Sequence, residues 1–191
     1  MKLIEERILR DGVVLPGNIV KVGSFLNHQV DVPLLMEAGR ETRRIFENEG
    51  VTKLITAATS GIAVATAYGA VWDVPVVFAK KGTTSNMSDD VYSANVHSYT
   101  HGNDYTMKIE KQFLSSDDRV LIVDDFLANG AALEGLISVV EQSGAKIVGC
   151  SVVIEKGFQD GGKRIREKGY RVESLAIIES IDDGKIVFSK M

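Results

Sequence analysis

Apolar residues fall along this chain in short unbroken blocks. Residues 53–57, 76–79, 119–124, 146–154 and 175–178 are runs rich in Val, Ile, Leu and Ala, bounded by Gly, Pro, Asp or Lys. Such runs read as strands buried on both faces, because a strand with one wet face would alternate. Between them the spacing changes to a helical one. Leu34, Leu35, Ala38, Ile45 and Phe46 share one helical face, Asp31 can cap that helix, Pro33 fits its first turn and Gly50 lies beyond its end. Leu133, Leu136, Ile137 and Val140 fall at i, i+3, i+4 and i+7, and Ser143–Gly144 closes a helix over residues 131–143. Shorter helices read at residues 62–71 and 161–169. Residues 91–99 and 105–113 have β-type composition and can pair as a hairpin, and a last strand reads at residues 185–189. The alternation of strands and helices implies a doubly wound, mostly parallel α/β sheet, with ligands at the carboxyl ends of its strands. Residues 12–28 mix short apolar groups with the turn formers Pro16, Gly17, Asn18 and Gly23. They read as an N-terminal cap, strand-like at residues 20–25, that packs with the C-terminal tail as a hood over that edge.

Composition narrows the class. A chain of 191 residues, 45% hydrophobic, suits one domain with a real core. Its one cysteine, Cys150, lies in the apolar run 147–154 and reads as core, with no disulfide possible within the chain. The N-terminal decapeptide is charged and amphipathic, unlike a signal peptide, and no stretch approaches the roughly 20 apolar residues of a membrane span. A cytoplasmic protein without a membrane partner is expected. The net charge of −4, with no basic block, speaks against nucleic acid as a partner.

The chemistry concentrates in residues 120–132, VLIVDDFLANGAA. A buried strand runs into a loop of small residues, and a helix follows. That order presents helix-start N–H groups at a strand's carboxyl end, an anion site. Ala128, Asn129, Gly130, Ala131 and Ala132 let a phosphate approach the backbone. The loop lacks the Gly-Lys-Ser/Thr of a Walker A motif and the glycine spacing of a dinucleotide turn. Instead, Asp124 and Asp125 stand just before it, pointing opposite ways. They can meet the hydroxyls of a sugar phosphate, or serve only as strand-end caps. A response-regulator receiver also has an acidic strand end of this kind. There the pair opens the domain, whereas here too little chain follows for the remaining elements.

The segment resembles the phosphoribosyl-diphosphate signature of the type I phosphoribosyltransferases. Residues 127–132, with Asn129 and Ala132 where the broad signature has Thr, resemble the xanthine-using branch. The likeness extends in order through SFLNHQ (residues 24–29), TSGIA (59–63), VVFAKK (76–81), VIEKGF (153–158) and GYRVESLA (169–176). The resemblance implies one domain over residues 1–191, with the hood from residues 1–30 and the C-terminal tail, and a mobile β-hairpin lid at residues 81–102. It implies transfer of the phosphoribosyl group from phosphoribosyl diphosphate to xanthine, Mg²⁺ carried by the diphosphate, and a homodimer. Asp124 and Asp125 would meet the ribose, residues 128–132 the 5-phosphate, with the Asn129 side chain assisting. Ser60 and Gly61 would hold the pyrophosphate. Lys80 and Lys81, leaving their strand together, would neutralise it, unless they are solvated surface lysines. Lys156, Asn27 and Val20 would face the base. Phe158 would stack on it or sit in the core. His97, Ser98, Tyr99 and His101 of the lid receive no role. Two alternatives remain: a regulator that binds phosphoribosyl diphosphate without chemistry, and an enzyme preferring guanine or hypoxanthine.

Overall fold

The structure is a computed structural model that describes residues 1–82, 88–98 and 103–189, without the side chains of Ser98 and Asn103. A charged amphipathic helix α1 (Lys2–Asp11) leads into a small hairpin, β1 (Val13–Leu15) and β2 (Ile19–Lys21). A π-helical turn at Gly23–Asn27 follows. The strand expected over residues 20–25 therefore stops at Lys21. Phe25 and Leu26 are fully buried under the helix over residues 60–72, and the chain must coil to deliver two consecutive apolar side chains to one core.

The remaining elements are α2 (Val32–Ile45), β3 (Lys53–Ala57), α3 (Ser60–Trp72), β4 (Val76–Lys81), β5 (Val91–Ser98), β6 (Asn103–Glu110), β7 (Arg119–Leu127), α4 (Ala131–Gln142), β8 (Lys146–Lys156), α5 (Gly161–Glu167), β9 (Val172–Asp182) and β10 (Lys185–Phe188). Asp31 caps α2, its carboxylate accepting the Leu34 N–H at 3.1 Å, with Pro33 in the first turn. Most strands outrun the apolar blocks that announced them. β7 continues three residues past Asp124 and β4 takes in both lysines, because sheet neighbours extend a ladder through polar positions.

The sheet order is β10-β9-β8-β7-β3-β4-β6-β5. β4, β3, β7, β8 and β9 are parallel, and antiparallel neighbours β10 and β6–β5 close the two ends. One face packs on α2, α3 and the hood, the other on α4, α5 and the β5–β6 hairpin. The chain moves outward from β3 to β4 on one side, and from β7 to β8 and β9 on the other. The crevice beyond the carboxyl ends of β3 and β7 is thus the topological switch point where such sheets bind ligands.

The hood is pinned from two directions. The Met1 amine donates to the Leu175 carbonyl on β9. Arg7 pairs with Asp11 at 2.6 Å and with the α2 cap Asp31 at 2.7 Å, and lies over the Phe25 ring. Among the described residues no helix is long and apolar enough to cross a membrane.

Candidate active site

The pleat of β7 sends Val120 and Ile122 toward α4, and Leu121 and Val123 toward α3. That alternation carries Asp124 and Asp125 to opposite faces at the mouth of the crevice, only 7% and 6% exposed. Asp125 joins three segments. Its Oδ1 accepts the Ser60 hydroxyl at 2.9 Å, and its Oδ2 accepts the Asn27 amide at 3.3 Å. Asp124 accepts the backbone N–H of Asp125 at 3.0 Å. Burial, and then the charge of Asp125, push the Asp124 carboxyl well above the usual range, against the pull of that N–H and of Lys81.

Beyond Leu127 the chain turns through Ala128 and Asn129 into α4. Gly130 sits at φ +83°, a left-handed conformation suited to glycine, and is buried against Gly161 and Ile165. The Asn129 side chain folds back, its oxygen accepting the Ala131 N–H at 3.1 Å. It therefore occupies the first N–H of α4, one of the groups that the sequence offers to a phosphate. Ala131 and Ala132 open the helix at the crevice.

The second loop follows β3 and contains a cis peptide between Ala58 and Thr59. Ser60 and Gly61 begin α3, two residues earlier than the helical spacing suggested. Gly61 leaves no room for a side chain. A Cβ there would collide with the Thr56 hydroxyl and lie 2.9 Å from Asp124 Oδ1. The Thr56 hydroxyl is buried beneath this turn and has no hydrogen-bond partner among the described residues.

Lys80 and Lys81 do not leave their strand side by side. Both belong to β4, so the pleat separates them. Lys81 shares the α4-facing side with Asp124, whose titration it influences, and its ammonium lies 4.9 Å from the centre of the Tyr105 ring. Lys80 turns to the other face and lines a cavity of about 380 Å³ with Val76, Phe78, Lys108 and Phe113, a lining that includes neither Asp124 nor Asp125.

Lys156 ends β8 with its ammonium 3.5 Å from the Asn18 carbonyl of the hood, and partial burial lowers its pKa. Phe158 is 38% exposed, so the core alternative for this ring is set aside. Val20 is buried at the middle of β2, opposite Val14. His97 lies on the hairpin, its Nδ1 2.6 Å from Asp104. Tyr99, His101 and part of the 81–102 segment lie outside the described residues. Cys150 is buried, which pushes its thiol up to about 12.

Several residues that shape the site escaped the sequence reading. Arg164 of α5 donates to the Asn129 carbonyl at 2.6 Å and to Glu134 at 3.1 Å. Glu155, immediately before Lys156, receives two bonds from Arg166 at 2.8 and 2.7 Å and another from Ser174. Burial pushes the Glu155 carboxyl up, but these donors outweigh it and hold it below the usual range. The available signals were an acid at the end of an apolar strand and a Gly161–Gly162 pair opening a helix.

Comparison with known proteins gives a consistent result. The family model described as "Phosphoribosyl transferase domain" matches residues 32–186. A relative from Clostridium perfringens named "Xanthine phosphoribosyltransferase 1" is 52% identical over 189 residues, covering 98% of this chain and all of the relative. One from Ligilactobacillus salivarius, "Xanthine phosphoribosyltransferase", is 50% identical over 188 residues, covering 98% of both chains. Among solved structures, adenine phosphoribosyltransferase from Rhodothermus marinus superposes with a TM-score of 0.73 at 22% identity, covering 93% of this chain and 99% of that one. At that identity the likeness concerns the fold, and it is the fold described above. With the model spanning most of the sequence and full-length relatives at half identity, this chain belongs to the phosphoribosyltransferase family.

Proposed function

We propose that this protein transfers the 5-phosphoribosyl group from phosphoribosyl diphosphate to xanthine, giving xanthosine monophosphate and pyrophosphate. The observation that carries this reading is the junction at Asp125. One carboxylate joins Ser60, at the loop assigned to pyrophosphate, to Asn27, the hood residue assigned to the base. The ribose would span that junction. The choice of xanthine follows the names of the half-identical relatives.

In this reading the N–H groups of residues 128–130 and 132 hold the 5-phosphate, aided by the α4 dipole, while Asn129 holds that of Ala131. Asp124 and Asp125 accept the ribose hydroxyls, and Ser60 and Gly61 hold the diphosphate. The bond from the anomeric carbon to the diphosphate oxygen breaks, that carbon gains a bond to a purine nitrogen, and the base loses the proton on that nitrogen. Positive charge grows on the sugar, beside two carboxylates, and negative charge on the leaving pyrophosphate, toward Lys81. The protein's contribution is positioning and preorganised charge. Lys156 and the Asn27 amide donate to base oxygens, Val20 offers backbone groups, and Phe158 offers a ring face. Donors left unpaired by an analogue lacking an oxygen would disfavour it.

Two carboxylates beside a phosphate loop suit Mg²⁺ that brings most of its ligands with the diphosphate. Among the described residues no three His, Cys, Asp or Glu side chains cluster to cage an ion. Bound there, Mg²⁺ would neutralise charge on the leaving group. A homodimer in the cytoplasm is the setting this reading implies.

The test is turnover of each purine base by purified protein with phosphoribosyl diphosphate and Mg²⁺. Xanthine should react fastest. Faster reaction with guanine or hypoxanthine would overturn the base assignment. Binding of phosphoribosyl diphosphate without turnover of any base would overturn the enzyme reading and leave a regulator.

A further inference from the structure

The phosphate loop is held from behind by α5. The Arg164 guanidinium donates through Nη2 to the Asn129 carbonyl at 2.6 Å. Its Nε and Nη2 also reach the two oxygens of Glu134, at 3.1 and 3.3 Å. Glu134 lies in the first turn of α4, and Lys168 donates to it at 2.6 Å. Arg164 thus spans from the loop's main chain to the helix that the loop opens.

In a trans peptide the C=O and the following N–H point in opposite directions. The Asn129 carbonyl and the Gly130 N–H belong to one such unit. A guanidinium that fixes the carbonyl outward, toward α5, therefore fixes the N–H toward the opposite side, the cup of the loop. Gly161 completes the arrangement. A Cβ on Gly161 would lie 2.5 Å from both the Asn129 carbonyl carbon and the Gly130 nitrogen. Neither the Asn129 oxygen nor a flanking Cα comes closer, as an edge-on approach would require, so the flat face of the peptide, not its edge, rests on Gly161. The unit is packed by its face and bonded at its oxygen, which leaves its N–H edge turned away from α5.

We propose that Arg164 is a positioning residue. It orients the Asn129–Gly130 peptide so that the Gly130 N–H is presented to the 5-phosphate of the substrate, and it touches no substrate itself. This rests on the reading of the loop as the 5-phosphate site. The planar fork matters, because one group must satisfy a carbonyl and a carboxylate together, which a lysine ammonium cannot do in the same plane.

The experiment compares ribose 5-phosphate and pyrophosphate, each titrated calorimetrically into the wild type, Arg164→Ala and Arg164→Lys, alongside KM for phosphoribosyl diphosphate and kcat. If the wild type does not bind ribose 5-phosphate, the reading of the loop fails, independently of Arg164. Given that binding, Arg164→Ala should weaken ribose 5-phosphate about tenfold, the lower range for losing one charge-assisted hydrogen bond, and leave pyrophosphate unchanged. KM should rise by a similar factor, with kcat changed less. Arg164→Lys keeps charge and bulk, folds more readily than the alanine variant, and should recover only part of the loss. Unchanged ribose 5-phosphate affinity in both variants would overturn the proposal. So would equal weakening of both ligands, which marks a purely structural arginine, or full recovery with lysine, which marks a point charge.

Discussion

Replacing Arg166 with methionine keeps side-chain bulk on α5 but strips Glu155 of its two bonds at 2.8 and 2.7 Å. Glu155 is 4% exposed and would retain only the Ser174 hydroxyl. Removing one partner of a buried ion pair typically destabilises by about 3–5 kcal/mol, because a charge is left without compensation. The Arg166 side chain is itself 37% exposed, so water can reach part of the vacated position. That places the expected loss near the lower end, about 3 kcal/mol. For a chain of this size, about 2–4 °C per kcal/mol gives a Tm lower by about 6–12 °C. The pH dependence supplies the sharper test. Glu155 is held below the usual carboxylate range, so the pair contributes stability above the unfolded-state pKa and loses it as pH falls through the folded value. The gap between wild type and Arg166→Met should therefore be wide at pH 7.5 and narrow toward pH 4. Urea and thermal unfolding followed by circular dichroism at both pH values measure it. A loss below about 1 kcal/mol, the scale of an exposed pair, would refute the argument. A gap independent of pH would also refute it.

Asp125→Asn should cut turnover by at least about a hundredfold, the scale of one preorganised electrostatic contact, while Tm changes little. Steady-state kinetics decide this, and near-normal activity would reduce the acid pair to a strand-end cap. Lys156→Ala should raise KM for the base and leave KM for phosphoribosyl diphosphate unchanged. An unaltered base KM and base preference would displace the purine site from β8. Cys150, with its thiol pushed up to about 12 by burial, should resist a thiol reagent in the native protein and react once urea unfolds it. Rapid labelling of the folded state would contradict the packing around it.

The fold was legible wherever local chemistry is self-sufficient. Asp31, Pro33 and the apolar stripe behind them define α2 without help from the rest of the chain, and the block at residues 53–57 coincides with β3. The hood was harder, because the turn at Gly23–Asn27 is dictated by what Phe25 and Leu26 bury against, which lies elsewhere in sequence. For the site, the stretch from Asp124 to Ala132 was readable as a strand, two acids and a helix start. The structure places Ser60 and Asn27 on Asp125, and Lys81 on the side of Asp124. Lys80 and Lys81 were read as leaving a strand that ends at residue 79, but β4 runs two residues further, and within a pleated strand adjacent lysines point to opposite faces. Arg164 and Arg166 were invisible because each matters only through a partner brought near by folding, and isolated charges on a short helix look like any solvated surface; Glu155, an acid near the end of an apolar strand, carried a signal but not the identity of its partner.

The strand order also has a kinetic consequence. β7, β8, β9 and β10 are consecutive in the chain and adjacent in the sheet, so they can assemble through short connections. The crevice needs more, because β3 must dock beside β7, pairing Lys53 with Val120 across the middle third of the chain. Closing so long a loop is slow relative to local assembly. During refolding, far-ultraviolet ellipticity should therefore recover before the ligand crevice exists. The chain has a single tryptophan, Trp72, nearly buried at the end of α3 on the N-terminal side of that junction. Its fluorescence gives a clock for the docking, and substrate affinity should return with that signal rather than with the earlier one.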